Sequence, residues 1–380
     1  MRFDTKLLHG GQSPDPLTGA VNPPIYLSST FAQRAPNVHR GYVYGRSANP
    51  TRTVLESTLA ELEGGRVGLA FSSGLGALAT LLEHLPSGSR IVSIDDLYGG
   101  TRRLFEHHRT QFGLRIDYVD MTRPEPLRDA LRLPADLLYV ETPTNPLLRI
   151  ADLDLLARSA RAARALLVVD NTFATPALQR PLEHGADVVL HSTTKYLGGH
   201  SDIIGGALIA RRPALGERLR WLQNAVGAVP SPFDCFLVLR GIHTLGVRMR
   251  AHGASADAVA RELERSPKVK TVYYPGLASH PQRALARRQM AGAGGMVSAD
   301  LRGGLSGARR FLRGLRWFTL AESLGGVESL VDHPASMTHA SVPPAIRRAQ
   351  GLSDGLLRFS CGIEDPADLA DDVRAALRRV

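Results

Sequence analysis

The chain has 380 residues, of which 46 are Lys or Arg and 36 are Asp or Glu, for a formal net charge of +10. Hydrophobic residues make up 43% and charged residues 22%, the composition of a globular protein of two or three domains, which excludes disorder as a description of the whole. Apolar runs stop well short of the ~18 residues of a membrane span, and the opening MRFDTKLLHG has no apolar core. Neither a membrane partner nor a secretory leader is expected.

Only four lysines occur, Lys6, Lys195, Lys268 and Lys270, so nearly all the positive charge is arginine. The arginines are scattered among acids and alanines, as in LRDALR and ARSARAARA. A solvated face, and not nucleic acid, is their expected partner. Cys235 and Cys361 are too few for a disulfide framework and are expected as free thiols in a cytoplasmic protein. There are 13 histidines, including the pair His107-His108, but no HExxH and no Cys/His ligand spacing, so no metal is expected.

Residues 1–53, rich in Pro, Gly, Asn and Ser, predict an extended arm that contacts a neighbouring subunit. From 54 to 240, short Val/Ile/Leu runs (RVGLAFSS, RIVSIDD, LRIDYVD, DLLYVETP, ALLVVDNT, ADVVLHSTT, IIGGALIA) alternate with helical patterns (GALATLLEHL, TRRLFEHHRTQ, LDLLARSARAAR). That alternation predicts βαβ units and an α/β fold with a large, mostly parallel sheet. Residues 241–380 predict a smaller α+β domain, in which the long helix GIHTLGVRMRAHGASADAVARELERS precedes strands in KVKTVYYPG, GGMVSADL, TLAESLG and LLRFSCG. A closing helix follows Pro366.

Ligands of open α/β sheets gather at the carboxyl ends of strands, and the polar residues fall there: Ser72 to Gly74, Asp95 and Asp96, Glu141, Asp170 and Asn171, Ser192 to Lys195. The turn Ser72-Ser73-Gly74-Leu75-Gly76 suits an anion at a helix N-terminus. By itself it also satisfies a dinucleotide pattern, Gly74-x-Gly76-x-x-Ala79 with Asp95 as the ribose acid, so an NAD-binding Rossmann oxidoreductase stays open at this point. Asp170 ends an apolar run, where a carboxylate needs a cationic partner or a turn to cap. Lys195 follows Ser192 and Thr194, hydroxyls suited to a phosphate, and a lysine beside a desolvated cationic site can form a Schiff base. Phosphate cradle, carboxylate and lysine together are what pyridoxal 5′-phosphate requires.

The motifs YVYGRSANPT, FSSGLGA, DDLYGGT, ETPTNP, VVDNTF, STTKYLGGHSD, ESLGGVESL and LLRFSCGIED resemble the Cys/Met-metabolism group of pyridoxal-phosphate enzymes: cystathionine γ-synthase, cystathionine γ-lyase and methionine γ-lyase. The resemblance implies the transferase-like fold type I and a homotetramer of two active dimers. It implies that Tyr44 and Arg46 reach the cofactor phosphate of a neighbouring subunit, with Gly74, Leu75, Ser192 and Thr194 on the same phosphate. Asp170 would face the ring nitrogen, Lys195 would carry the aldehyde, and Tyr98 would stack on the ring and act in proton transfer. Glu141 and Asn145 would lie around the ring hydroxyl, Arg358 would clamp the substrate α-carboxylate, and Ser323 would orient the substrate. His200 is expected to be structural. A retired member acting as a scaffold would be expected to lose Lys195, Asp170 or Arg358, and all three are present.

The subclass signals conflict. Cystathionine-handling members commonly carry an acid before the tyrosine of the YxR motif, where this chain has Val43; methionine γ-lyases often carry a cysteine where Gly100 stands; Glu322 is typical of cystathionine-handling enzymes. The expected reaction is γ-elimination of methionine or cystathionine to 2-oxobutanoate, ammonia and a thiol. The alternatives are γ-replacement on an O-acylhomoserine and β-cleavage.

Overall fold

The computed structural model of the chain describes residues 1–340 and 342–380. Apolar runs bounded by glycine or charge become strands, and stretches with apolar residues every third or fourth position become helices. In chain order they are α1 (Phe3–His9), α2 (Pro50–Glu63), β1 (Val67–Phe71), α3 (Gly74–Leu82), β2 (Arg90–Ile94), α4 (Gly99–Phe112), β3 (Arg115–Val119), α5 (Pro124–Ala130), β4 (Leu137–Glu141) and α6 (Leu153–Ala163). There follow β5 (Leu166–Asp170), α7 (Thr175–Leu178), β6 (Val188–Ser192), β7 (Gly206–Ala210), α8 (Pro213–Val226), α9 (Pro232–His243) and α10 (Leu245–Arg265). The chain closes with β8 (Val269–Tyr273), α11 (Arg283–Gln289), β9 (Met296–Leu301), α12 (Gly304–Leu312), β10 (Thr319–Leu320), β11 (Leu330–Asp332), α13 (Pro344–Ala349), β12 (Leu356–Ser360) and α14 (Pro366–Leu377).

The larger sheet has seven strands in the order β1-β7-β6-β5-β4-β2-β3. Only β7 runs against its neighbours; the others are parallel, as the βαβ alternation predicts. Register sets the future site: Glu141 lies opposite Asp170 at the ends of β4 and β5, and Ser192 opposite Gly206 at the β6–β7 edge. The smaller sheet, β10-β11-β12-β9-β8, is antiparallel except for β10–β11. Its core joins Ala256, Val259 and Leu263 of α10 to Leu369, Val373 and Ala376 of α14, spaced three or four apart so that each helix buries one face.

Three expectations need correction. The arm of residues 1–53 is not extended throughout: Phe3–His9 is a helix that buries Leu7 in the main core, and α2 begins at Pro50, where the Asn49 side chain accepts from the Thr51 and Arg52 N–H groups. The long helix from Gly241 is two helices interrupted at Thr244, and a boundary at 240/241 falls inside α9. Packing moves the division into α10, whose Leu245 and Met249 join the large core while Ala256 and Val259 join the small one. In TLAESLG only Thr319–Leu320 is strand, and β11 went unforeseen because three residues are too short a run to show periodicity. No helix among the described residues is long and apolar enough to cross a membrane.

The buried carboxylate of Asp372 on α14 accepts the N–H groups of Arg316 at 2.8 Å and Trp317 at 2.9 Å, fixing the approach to β10. Asp372→Ala leaves these donors unpaired and is expected to cost about 2–3 kcal/mol, read as a lowered thermal midpoint. Asp372→Asn, which keeps an acceptor, is expected to lose less.

Candidate active site

The turn from β1 into α3 is capped by Ser73, whose hydroxyl accepts the Gly76 N–H at 2.9 Å. That leaves the first-turn N–H groups of Gly74 and Leu75 without intrahelical acceptors and at the positive end of the helix. The Ser192 side chain closes the other side: a Cβ at Gly74 would stand 3.1 Å from Ser192 Cβ. Across the β6–β7 edge, a Cβ at Gly206 would come within 2.2 Å of the Ser73 carbonyl, so the turn sits directly on glycine backbone. Thr194 is committed differently from the simple expectation. Its hydroxyl bridges the backbone of Gly205, donating to the carbonyl at 3.2 Å and accepting the N–H at 3.0 Å.

Asp170 is buried and accepts the Thr172 N–H at 3.0 Å and the Tyr139 hydroxyl at 3.2 Å. Burial pushes its carboxyl above the usual carboxylate range. Glu141, opposite it, is driven well above that range by burial and then by the charge of Asp170, while accepting the Tyr98 N–H at 2.9 Å. Tyr98 caps α4 with its ring partly exposed and lying over Gly100, where a Cβ would meet the ring at 2.3 Å.

Lys195 comes from the turn after β6, and its Nζ donates to Ser323 Oγ at 2.6 Å. Its amine is lowered to about 8, first by burial and then by the Arg358 guanidinium; Glu322 and Asp332 oppose the fall. Ser323 holds φ at +91°, a conformation that side chains other than glycine rarely adopt and that concentrates at functional sites. It aims its hydroxyl at Lys195 and its carbonyl at Arg358 Nη2, 3.3 Å away. Arg358 is buried on β12, donates to Asn145 Oδ1 at 2.8 Å and pairs with Asp332, its register neighbour on β11. Arg358 Nε and Asp332 Oδ1 have no partner, which leaves an unsatisfied donor in a buried cationic pocket. The exposed Glu322 lies beside Ser323.

The fold thus brings Lys195, Ser323, Arg358, Asn145, Glu141, Tyr98 and Asp170 into one chain of contacts drawn from both sheets. Tyr44, Arg46 and Val43 lie elsewhere. Val43 accepts the Phe31 N–H through its carbonyl, and Arg46 bonds the carbonyl and side chain of Asn224 near the end of α8, with its guanidinium 5.6 Å from the Tyr44 ring centroid. His200 contacts the Gly198 carbonyl at 2.9 Å.

Several residues around the site were not visible beforehand. Asp332 emerges only when β11 pairs with β12, and Tyr139 only when β4 lies beside β5. Arg149 joins Asp95 at 2.8 Å, Asp120 at 3.3 Å and Asp96 at 3.4 Å, locking the loop before Tyr98 to the loop carrying Asn145. This also overturns the dinucleotide alternative: Asp95 is held by Arg149, and β1 is an edge strand beside antiparallel β7, away from any topological switch point.

The residues fit pyridoxal phosphate: a buried carboxylate able to face a ring cation, a helix N-terminus with free N–H groups beside a hydroxyl, and a lysine whose amine is lowered toward neutrality. A family model described as Cys/Met metabolism PLP-dependent enzyme matches residues 4–378. The chain is 53% identical over 377 residues to a cystathionine β-lyase of Coxiella burnetii, covering 99% of this chain and 97% of that one. It is 50% identical over 377 residues to a cystathionine γ-lyase of Dictyostelium discoideum, with the same two coverages. The crystal structure of cystathionine γ-synthase from Xanthomonas oryzae pv. oryzae in complex with cystathionine superposes with a TM-score of 0.98 at 50% identity, covering 100% of this chain and 98% of that one. The chain belongs to the family of pyridoxal-phosphate-dependent enzymes of Cys/Met metabolism.

Proposed function

We propose that this protein is a C–S lyase that cleaves L-cystathionine by γ-elimination, converting cystathionine and water to cysteine, 2-oxobutanoate and ammonia. L-Methionine, also a γ-thioether, is the second substrate it is expected to accept. Glu322 carries the choice of cystathionine: an exposed carboxylate next to Ser323, acting on Lys195, suits the ammonium at the far end of that substrate. The lyase relatives at 53% and 50% identity support cleavage.

When bound, pyridoxal phosphate supplies an electron sink for the carbanions formed at Cα and Cβ. The chain's residues divide the remaining work. Lys195 is the attachment point and, once freed, carries the Cα proton away and removes the Cβ proton whose loss expels the sulfur, with Ser323 orienting its amine. Asp170 holds the ring-nitrogen proton. The α3 N-terminus, through Gly74 and Leu75, binds the phosphate with Ser192 and with Thr194, whose hydroxyl proton turns from the Gly205 carbonyl to the phosphate, and Glu141 and Asn145 border the ring hydroxyl. Arg358 clamps the α-carboxylate, for which a fork of guanidinium donors is suited. Tyr98 stacks on the ring and gives a proton to the departing sulfur.

Tyr44 and Arg46 are assigned to the phosphate of a neighbouring copy within a homotetramer of two active dimers. In support, their arm leaves Leu17 and Val21 each 85% exposed, apolar surface that a second copy would cover. Two buried thiols, Cys235 and Cys361, fit a cytoplasmic protein.

Products separate the reactions. Purified enzyme given cystathionine is expected to release 2-oxobutanoate and cysteine. Pyruvate and homocysteine would replace this assignment with β-cleavage. Thioether formation from O-acylhomoserine and cysteine, without keto acid, would replace it with γ-replacement.

Because only the neutral amine attacks an aldehyde, and burial lowers Lys195 to about 8, fixation of pyridoxal phosphate by cofactor-free protein is expected to accelerate about tenfold per pH unit below that value and to level off above it. Borohydride should then trap the cofactor on Lys195. Gly206→Ala, which drives a methyl into the Ser73 carbonyl, is expected to weaken cofactor retention by about tenfold or more, roughly 1.4 kcal/mol, measured by dialysis and visible absorbance.

A further inference from the structure

Behind the larger sheet lies a buried polar network that the chemistry above does not use. Glu63, the last residue of α2, accepts the Asn171 side-chain amide at 2.9 Å and meets His191 Nε2 at 2.6 Å through the same oxygen. Both Glu63 and His191 side chains are only 1% exposed. Asn171 Nδ2 also donates to the Gln179 carbonyl at 2.7 Å, and Gln179 Nε2 donates to the Thr142 carbonyl at 2.9 Å and to Asn171 Oδ1 at 3.0 Å. Gln289 of α11 donates to Gln179 Oε1 at 2.9 Å.

Three members adjoin site residues in sequence. Thr142 follows Glu141, Asn171 follows Asp170, and His191 precedes Ser192. In the parallel register Asp170 lies opposite Leu190, so the strand alternation puts His191 on the reverse face. A buried acid–imidazole pair is a weak source of stability, because desolvation offsets the attraction. Stability alone therefore does not account for it, and Glu63 Oε2 and His191 Nδ1 have no partners at all.

We propose that Glu63 and His191 are positioning residues for the cofactor, acting from the back of the sheet to hold the Asp170 strand end in place and its carboxylate ionised. The groups beside Asp170 are Tyr139 and Glu141 from β4 and Thr172 from the following turn; His191 of β6 acts on it through the sheet from the reverse face, where Glu63 of α2 holds its ring. The Thr172 hydrogen bonds oppose the upward push of burial on Asp170 first, and the charge of His191 adds to them. Without it, Asp170 takes up a proton at higher pH and can no longer pair with a cationic ring. This rests on Asp170 as the ring-nitrogen partner.

The test is cofactor release from full-length holoenzyme between pH 6 and 9, followed by visible absorbance. His191→Gln keeps a donor toward Glu63 without a titratable ring; Glu63→Gln keeps an acceptor for Asn171 without the charge. Both are expected to release cofactor at least tenfold faster than wild type at pH 6.5 and to approach it at pH 9, shifting the acid limb upward. A general loss of packing would instead speed release equally at every pH. Release rates within twofold of wild type, or a pH-independent increase, overturn the proposal. Asp170→Asn separates the two levels: wild-type release there removes the Asp170 assignment itself, whereas fast release with His191→Gln unchanged removes only the role of the network. Should the variants fail to fold, amide exchange in the wild-type protein decides. Slow exchange at Asn171 and Ser192 that persists after cofactor removal supports a preformed network, and its collapse overturns it.

Discussion

The Lys195 amine and the Arg358 guanidinium share one poorly solvated pocket, and the rest of the site is arranged around that repulsion. Burial and then the neighbouring cation bring the amine down to about 8, which makes it available as a nucleophile and base near neutrality. Left alone, such a pocket would be electrostatically costly. Asp332 pairs with Arg358, and Asn145 and the strained Ser323 take further donors. Of the Arg358 guanidinium, Nε alone is left buried without an acceptor, in keeping with the carboxylate-binding role proposed for it.

The two sheets contribute unequal parts. The larger sheet, parallel from β3 to β6, delivers Glu141, Asp170 and Ser192 along one edge because parallel strands end together. The smaller sheet delivers Arg358, and the loop between β10 and β11 delivers Glu322 and Ser323. The site is therefore a junction, with Glu141, Asp170 and Ser192 supplied from one core and Arg358 from the other. The helix α10, which belongs to both cores, connects them, so relative movement of the sheets would change the distance between Lys195 and Arg358.

Around this junction lie polar locks that do not touch the reacting groups directly. Arg149 ties the Tyr98 loop to the Asn145 loop through three carboxylates. On the reverse face, Glu63, Asn171 and Gln179 tie the ends of β4, β5 and β6 together. Polar networks of this kind are costly if partly satisfied and rigid when complete, and they surround the strand ends whose relative placement must be held to fractions of an ångström.

Chain order and local chemistry determined a good deal by themselves. The alternation of Val/Ile/Leu runs with helical periodicity was enough for an α/β sheet, because period and burial follow directly from side-chain spacing. The Ser73-Gly74 turn, Asp170 at a strand end and Lys195 after its hydroxyls were legible as cofactor chemistry, because each motif is contiguous. What contiguity cannot show is which strand lies next to which. Asp332 against Arg358, Tyr139 beside Asp170, Arg149 capturing Asp95, and His191 on Glu63 each join residues 26 or more positions apart, so they exist only once strand order and register are set. Tertiary structure likewise placed the division of the two cores inside α10, since a continuous helix carries no local mark of the point where its partners change.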